Sequence, residues 1–350
     1  MASPNKAIYI GPQNELFATE CDDLYEPADN QGLVQVHFSG INPADLKHGT
    51  DFRMNDHVCG YEFSGKVVKA GTGFPYAVGD EIFGSKKIGL GSKFGAHQDW
   101  LLAEGNSMIA KRPSTLPKEA GAVMSLVVRT AADALFNILG IPFAEIKASG
   151  TPTKSGILIW GGGSAVGWAT IQIAKAAGVS PIITTASSSH HKTLKDLGAT
   201  HCFDYRDDDV VAKIQSAVDQ FGQPLKFIFD SVCTKGQASS ASRCDAINTP
   251  PDAIFTGTLP VSSDKNKWIW CLAARAWDTN LPPPIGYIAA DQEWESRLIG
   301  TVDWVAGNYG QRFRIPNLRV IQGLREGIEA IKASGEGKIS FEKFAIKHPF

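Results

Sequence analysis

Short β-branched or alternating runs, cut by glycine and proline, fill the chain from Lys6 to about Asn106. Residues 32–38, 65–69 and 80–83 are the clearest of them. Alternation of this kind turns successive side chains to opposite faces, which predicts an all-β unit with tight turns. From about Pro117 the apolar residues recur at helical spacing instead. Val123, Leu126, Val127, Ala131, Leu135 and Ile138 form one stripe behind a start at residues 116–122, which predicts a long helix reaching about Leu139.

Beyond that helix the pattern alternates. Strands are expected at 156–160, 181–185, 201–203, 227–229 and 253–257, and helices at 165–177, 191–197 and 210–221. Strands separated by helices of this length make βαβ crossovers, so the second half reads as a doubly wound parallel sheet. A Trp-rich stretch from Trp268 to Trp304 is expected to supply helices and a sheet edge, its indoles mainly in the core. The tail predicts a helix at 324–333 and a strand at 343–347 that returns to the first domain.

The segment Ile157-Leu-Ile-Trp-Gly-Gly-Gly-Ser-Ala-Val-Gly167 is an apolar strand, a glycine turn and a helix start. Such a turn lets a pyrophosphate approach the backbone, and its charge then sits on the unpaired N–H groups of the helix head. Gly161, Gly163 and Gly167 give the spacing GxGxxxG, with Ser164 in the middle, so the strict dinucleotide fingerprint is absent. At the end of the next strand, residues 183–192 carry no carboxylate for ribose hydroxyls. Ser187, Ser188, Ser189, two histidines and Lys192 stand there instead, offering donors and a cation to a 2′-phosphate. NADPH is therefore expected as cofactor. The same serines could equally cap the following helix.

Composition narrows the field further. The 350 residues are 43% hydrophobic and 20% charged, which excludes disorder and coiled coil and suits about two domains. A formal charge of -2 gives no reason to expect nucleic acid or an anionic membrane as partner. No run approaches the ~20 apolar residues of a bilayer span, and residues 1–15 lack the charged head and apolar middle of a signal peptide, so a cytoplasmic protein is expected. Cys21, Cys59, Cys202, Cys233, Cys244 and Cys271 have no CxxC spacing and read as reduced thiols. His97, His190 and His191 lack metal spacing.

Several phrases occur in an order that resembles the zinc-independent medium-chain dehydrogenases/reductases. They are Gly40-Ile-Asn-Pro-Ala-Asp45, Gly60-Tyr-Glu-Phe-Ser-Gly65, Val78-Gly-Asp-Glu-Ile-Phe-Gly84, the glycine turn, Phe203-Asp-Tyr-Arg206, Phe229-Asp-Ser231, Phe255-Thr-Gly-Thr-Leu259 and Gly337-Lys-Ile-Ser-Phe-Glu-Lys343. The chain looks most similar to the fungal trans-acting enoyl reductases of polyketide synthases, of the lovastatin enoyl reductase type. This resemblance implies an α/β architecture: a GroES-like β domain at 1–125 completed by 310–350, a Rossmann NADPH-binding domain at 126–309, and an active cleft between them. It also implies a small-molecule or carrier-protein-bound enoyl thioester as substrate, a polyketide synthase as partner, and a monomer.

Site residues follow from the same resemblance. Lys47 and Thr130 are expected to position cofactor and thioester carbonyl, with Tyr61 and Asn42 as further candidates. Gly161, Gly163, Ser164, Ala165, Val166 and Gly167 would meet the pyrophosphate, Ser187, Lys192 and Tyr205 the 2′-phosphate, and Thr258 and Leu259 the nicotinamide amide. Glu62 and Asp45 are expected to stabilise loops. Zinc-dependent relatives place a cysteine at Asn42 and a histidine at Tyr61, so no metal is expected. The reduction of a quinone or free enone, and a cofactor-binding scaffold without hydride chemistry, are the competing readings.

Overall fold

The computed structural model describes residues 4–21, 25–87, 91–143, 146, 155–222, 224–236, 238–281 and 286–350. The chain divides into two compact units, one reaching Leu126 and joined by Asn317–Phe350, the other Val127–Pro316.

In the first unit a seven-stranded sheet runs Leu318–Gln322, Lys343–Lys347, Gln31–Gly40, Glu62–Ala70, Glu81–Ser85 and Met108–Lys111, with Trp100–Glu104 also paired to Gln31–Gly40. Leu16–Cys21, Asn5–Ile10 and His57–Val58 form a three-stranded sheet. The alternation read along 32–38 and 65–69 has its cause here: Val34, Val36, Phe63, Val67, Ile82 and Leu101 meet in one cluster. The expected return of the tail to this domain is also seen, because Lys343–Lys347 lies antiparallel to Gln31–Gly40 with Ile346 opposite Ser39. Strand Leu318–Gln322 then adds in parallel.

The second unit is built on a six-stranded parallel sheet in the order His201–Phe203, Ile182–Thr185, Gly156–Trp160, Leu225–Asp230, Ile254–Gly257 and Trp268–Trp270. Numbered along the chain this is 3-2-1-4-5-6, the doubly wound order whose reversal point lies beside the first strand. All of Gly156–Trp160 is buried, as a central parallel strand with both faces covered must be. Leu158, Ile183 and Ile228, paired across three strands, lie in the same core.

One expectation needs correction. The long helix at 117–139 is broken: Lys118–Gly121 ends in a turn, Ser125–Ala132 restarts, and Asp133–Ile138 widens into a π-helix. Trp268, Trp270, Trp277, Trp294 and Trp304 are half-buried, and of these Trp268 packs against the sheet core beside Phe255. Trp268–Trp270 is the last strand of its sheet, and its two indoles donate to Asp245 Oδ1 (3.1 Å) and the Thr258 carbonyl (2.9 Å). Among the described residues, no helix is long and apolar enough to cross a membrane.

Candidate active site

The turn that follows strand Gly156–Trp160 is held from several directions. Gly161 sits at φ +90°, a conformation a side chain would strain. Its N–H donates to Thr185 Oγ1 (3.0 Å), and the Gly162 N–H donates to the Thr185 carbonyl (2.8 Å). Ser164 caps helix Ala165–Ala176 by accepting the Gly167 N–H at 2.9 Å. Its hydroxyl also meets Ser231 Oγ at 2.9 Å, and Ser231 donates to the Trp160 carbonyl. A Cβ on Gly167 would lie 2.3 Å from the Gly161 carbonyl oxygen, so only glycine lets the helix head close on the turn.

These bonds leave the N–H groups of Gly163, Ala165 and Val166 without an acceptor among the described residues, all three half-buried at the head of a twelve-residue helix. That geometry fits a dinucleotide pyrophosphate, since open N–H groups and the positive helix end both favour an anion.

The neighbouring strands bring the second set together. Thr185 pairs with Phe203, which places Ser187 and Tyr205 at one sheet edge, and the Ser188 N–H donates to Asp204 Oδ2 across it. Ser187 makes no side-chain cap bond, so its hydroxyl is not used to start the helix. Lys192 is exposed with no ion-pair partner among the described residues. A carboxylate does reach this edge, from Asp204 just past strand His201–Phe203. It is forked to Arg206, which holds its pKa well below the usual carboxylate range. Arg243, which no local sequence signal marks, donates to the Tyr205 carbonyl at 2.6 Å and adds a cation. Thr258 and Leu259 lie half-buried past the end of strand Ile254–Gly257, where Cys233 packs against both.

In the first unit, Asn42 is committed to its neighbours. Its Nδ2 donates to Glu62 Oε2 (2.8 Å), its Oδ1 accepts from Lys343 Nζ (2.8 Å), and its N–H donates to Asp45 Oδ2 (2.7 Å). Glu62 also accepts the Leu126 N–H at 2.7 Å. Asn42 therefore holds the loop. Lys47 projects exposed from helix Ala44–Phe52. Tyr61 is 4% exposed, and its hydroxyl meets His48 Nδ1 at 2.8 Å. Burial pushes the phenol pKa well up and takes His48 down to about 4, so the imidazole is neutral near pH 7.

Zinc does not fit at Asn42 and Tyr61. An amide and a protonated phenol replace the soft ligands, and the Lys343 ammonium already puts a buried positive charge 2.8 Å from Asn42.

Thr130 is half-buried on helix Ser125–Ala132. Its neighbour Arg129 forms a buried ion pair with Glu295 and donates from Nε to the Ala273 carbonyl (2.6 Å). Asp133 takes a two-pronged pair from Arg275 at 3.0 and 2.7 Å. Charge on both sides of Thr130 thus fixes its helix.

Residues 28–126 match the alcohol dehydrogenase GroES-like domain family, and residues 165–247 match the zinc-binding dehydrogenase family. The trans-enoyl reductase tazE of Aspergillus terreus is 37% identical over 214 residues, covering 56% of this chain and 67% of that protein. The trans-enoyl reductase milB of Cordyceps militaris is 26% identical over 346 residues, covering 93% and 94%. Of solved structures, the quinone oxidoreductase from Coxiella burnetii superposes with TM-score 0.71 at 21% identity, covering 99% of this chain and 100% of that one. The CurK enoyl reductase superposes with TM-score 0.70 at 18% identity, covering 99% of each chain. At such identities the structural likeness establishes the fold. With both sets of matches falling on the two units just described, the chain belongs to the medium-chain dehydrogenase/reductase family of oxidoreductases.

Proposed function

We propose that this protein is an NADPH-dependent enoyl reductase acting in trans on an α,β-unsaturated acyl thioester of a polyketide synthase. The observation that carries the reading is the set of N–H groups at Gly163, Ala165 and Val166 that have no acceptor among the described residues, together with the hydroxyls of Ser187 and Tyr205 and the Lys192 ammonium, which has no ion-pair partner among them. Donors and an exposed cation suit a phosphate better than a ribose hydroxyl. The trans-enoyl reductases tazE and milB support the reaction class.

A bound reduced nicotinamide supplies hydride to the β carbon of the substrate. The chain's own residues do the rest. The helix head holds the pyrophosphate, Lys192 neutralises the 2′-phosphate, Thr130 and the Thr258–Leu259 backbone fix the nicotinamide end, and Lys47 polarises the thioester carbonyl.

The test mixes the purified protein and NADPH with a panel of enoyl thioesters and, separately, quinones and free enones, following the loss of reduced-nicotinamide absorbance. Turnover of thioesters is expected. Turnover of quinones alone moves the reading to a quinone reductase, and binding without consumption to a scaffold. Replacing Lys192 by alanine is expected to weaken NADPH binding by about 10–100-fold, the range of a lost charge-assisted hydrogen bond. NADH binding should stay within about twofold. Titration calorimetry with both coenzymes decides, and equal losses remove the NADPH assignment.

A further inference from the structure

Lys86 follows strand Glu81–Ser85 and is 4% exposed, yet its ammonium has no hydrogen-bond or ion-pair partner among the described residues. It lies over the face of the Tyr61 ring, 5.2 Å from Nζ to the ring centre. The Tyr61 hydroxyl is tied to His48 Nδ1, and the two rings meet edge to face at 5.2 Å. His48 adjoins Lys47 on helix Ala44–Phe52. A lysine held this deep loses part of its hydration, and among the described residues it gains no direct salt bridge in return, Asp45 acting on it from beyond ion-pair distance. Perturbed groups of this kind gather at reactive sites.

The reductase reading above, on which this inference rests, needs one proton for the substrate α carbon, and it names no source. We infer that Lys86 is that source, delivering the proton from Nζ to the α carbon while the Tyr61 ring and the His48 imidazole hold the amine in place. The Nζ–H bond breaks with its electron pair staying on nitrogen. The π pair of the enolate forms the new Cα–H bond, the thioester carbonyl is restored, and the neutral amine recovers a proton from water. The hydride is the reduced nicotinamide's, so the sum is one alkene, one hydride and one proton.

The neighbours are unsuited to the task. Burial raises the Tyr61 phenol far above neutrality and leaves His48 neutral down to about pH 4. Lys86 is faced by Tyr61, His48, His57, Asp45 and Cys59. Burial is the largest influence on it and lowers its pKa to about 8, against the opposing pull of Cys59 and Asp45. An acid with a pKa near the working pH gives the best compromise between being protonated and being willing to release the proton.

The full-length protein and its Lys86→Met and Lys86→Arg variants are compared on a crotonyl-pantetheine thioester with NADPH, from about pH 6 to about pH 10. Wild-type kcat is expected to fall about tenfold per pH unit above about pH 8. Lys86→Met should lose that limb and be slower at neutral pH by about 10²–10⁴-fold, the range of general acid catalysis, with KM for NADPH within about twofold. Lys86→Arg keeps the charge and should be slow at every pH, since guanidinium does not release its proton.

A second readout needs no turnover. In protein labelled with 15N-lysine, one Nζ resonance should titrate near pH 8 and be missing from Lys86→Met. Thermal unfolding checks that both variants fold, as expected for Lys86→Met because it removes a buried charge. The inference is overturned if Lys86→Met keeps more than about half of kcat, if its alkaline limb persists, or if no lysine titrates below about pH 10. A wild-type protein that reduces no enoyl thioester overturns the reductase reading and this inference together, whereas an active wild type with an equally active Lys86→Met overturns the inference alone.

Discussion

Replacing Glu295 by alanine lowers the stability of the parallel-sheet unit by about 3–5 kcal/mol, the range for removing one partner of a buried ion pair. Arg129 is 2% and Glu295 5% exposed, and Glu295 Oε2 also accepts the Arg275 N–H at 2.8 Å. Asp133, fully buried, takes Arg275 from one side and the Asn137 amide and Leu272 N–H from the other. Truncating Glu295 leaves the Arg129 guanidinium in the interior with the Ala273 carbonyl as its acceptor among the described residues and Asp133 as the remaining nearby charge. That poorly compensated charge, more than the lost contact, accounts for the size of the effect. Urea unfolding should show the loss, and a thermal midpoint about 10 °C lower should accompany it. Glu295→Gln keeps an acceptor but not the charge and should lose less. The exposed pair Arg325–Glu329 supplies the contrast, since Glu329→Ala is expected to stay within about 0.5 kcal/mol. Equal losses at Glu295 and Glu329 would mean that the interior pair carries no special weight.

The parallel-sheet unit was legible from sequence where apolar runs are short and bracketed by turn residues. Strand Gly156–Trp160, helix His191–Leu197, strand His201–Phe203 and helix Val210–Phe221 have the bounds expected of them. The helix at 117–139 misled for a physical reason. Val123, Met124, Val128, Ala131 and Leu135 are all buried to within 1%, and the polar stripe Ser125, Arg129, Asp133 and Asn137 is buried as well, so the segment shows no solvent face and periodicity has nothing against which to mark a break. The candidate site divides in the same way. The glycine turn and the serine–lysine edge are local phrases and could be read directly. Lys86 and His48 could not, because a lysine beside Lys87 reads as a solvated cation until the fold lays it over Tyr61. The bonding of Asn42 could not be read either, because the group that claims its carbonyl, Lys343, lies 301 residues away.

That distant lysine carries the other large expected effect. Lys343 is 4% exposed on the C-terminal strand, and its Nζ donates to the Ile41 carbonyl (2.9 Å) and Asn42 Oδ1 (2.8 Å) and lies 3.7 Å from Glu62 Oε2. Lys343→Met removes the one cation facing Glu62 that the described contacts supply, and should lower the stability of the GroES-like unit by about 3–5 kcal/mol. The loss has a predicted pH dependence. Burial already raises the Glu62 carboxyl pKa above its unfolded value, with Lys343 the largest opposing influence. A carboxyl whose folded pKa is raised binds more protons folded than unfolded, so its contribution is complete below the unfolded pKa and is lost as pH climbs through the folded one. Without Lys343 the folded pKa rises further, and the deficit of the variant should widen from about pH 5 to about pH 8. Lys343→Met combined with Glu62→Gln should recover part of the loss at about pH 8, because the stranded charge is gone, giving a double variant more stable than the sum of the single changes predicts. Urea midpoints at the two pH values measure both effects. A deficit that is flat with pH, or additive single changes, would show that Lys343 holds its strand by packing alone and that its charge does not compensate Glu62.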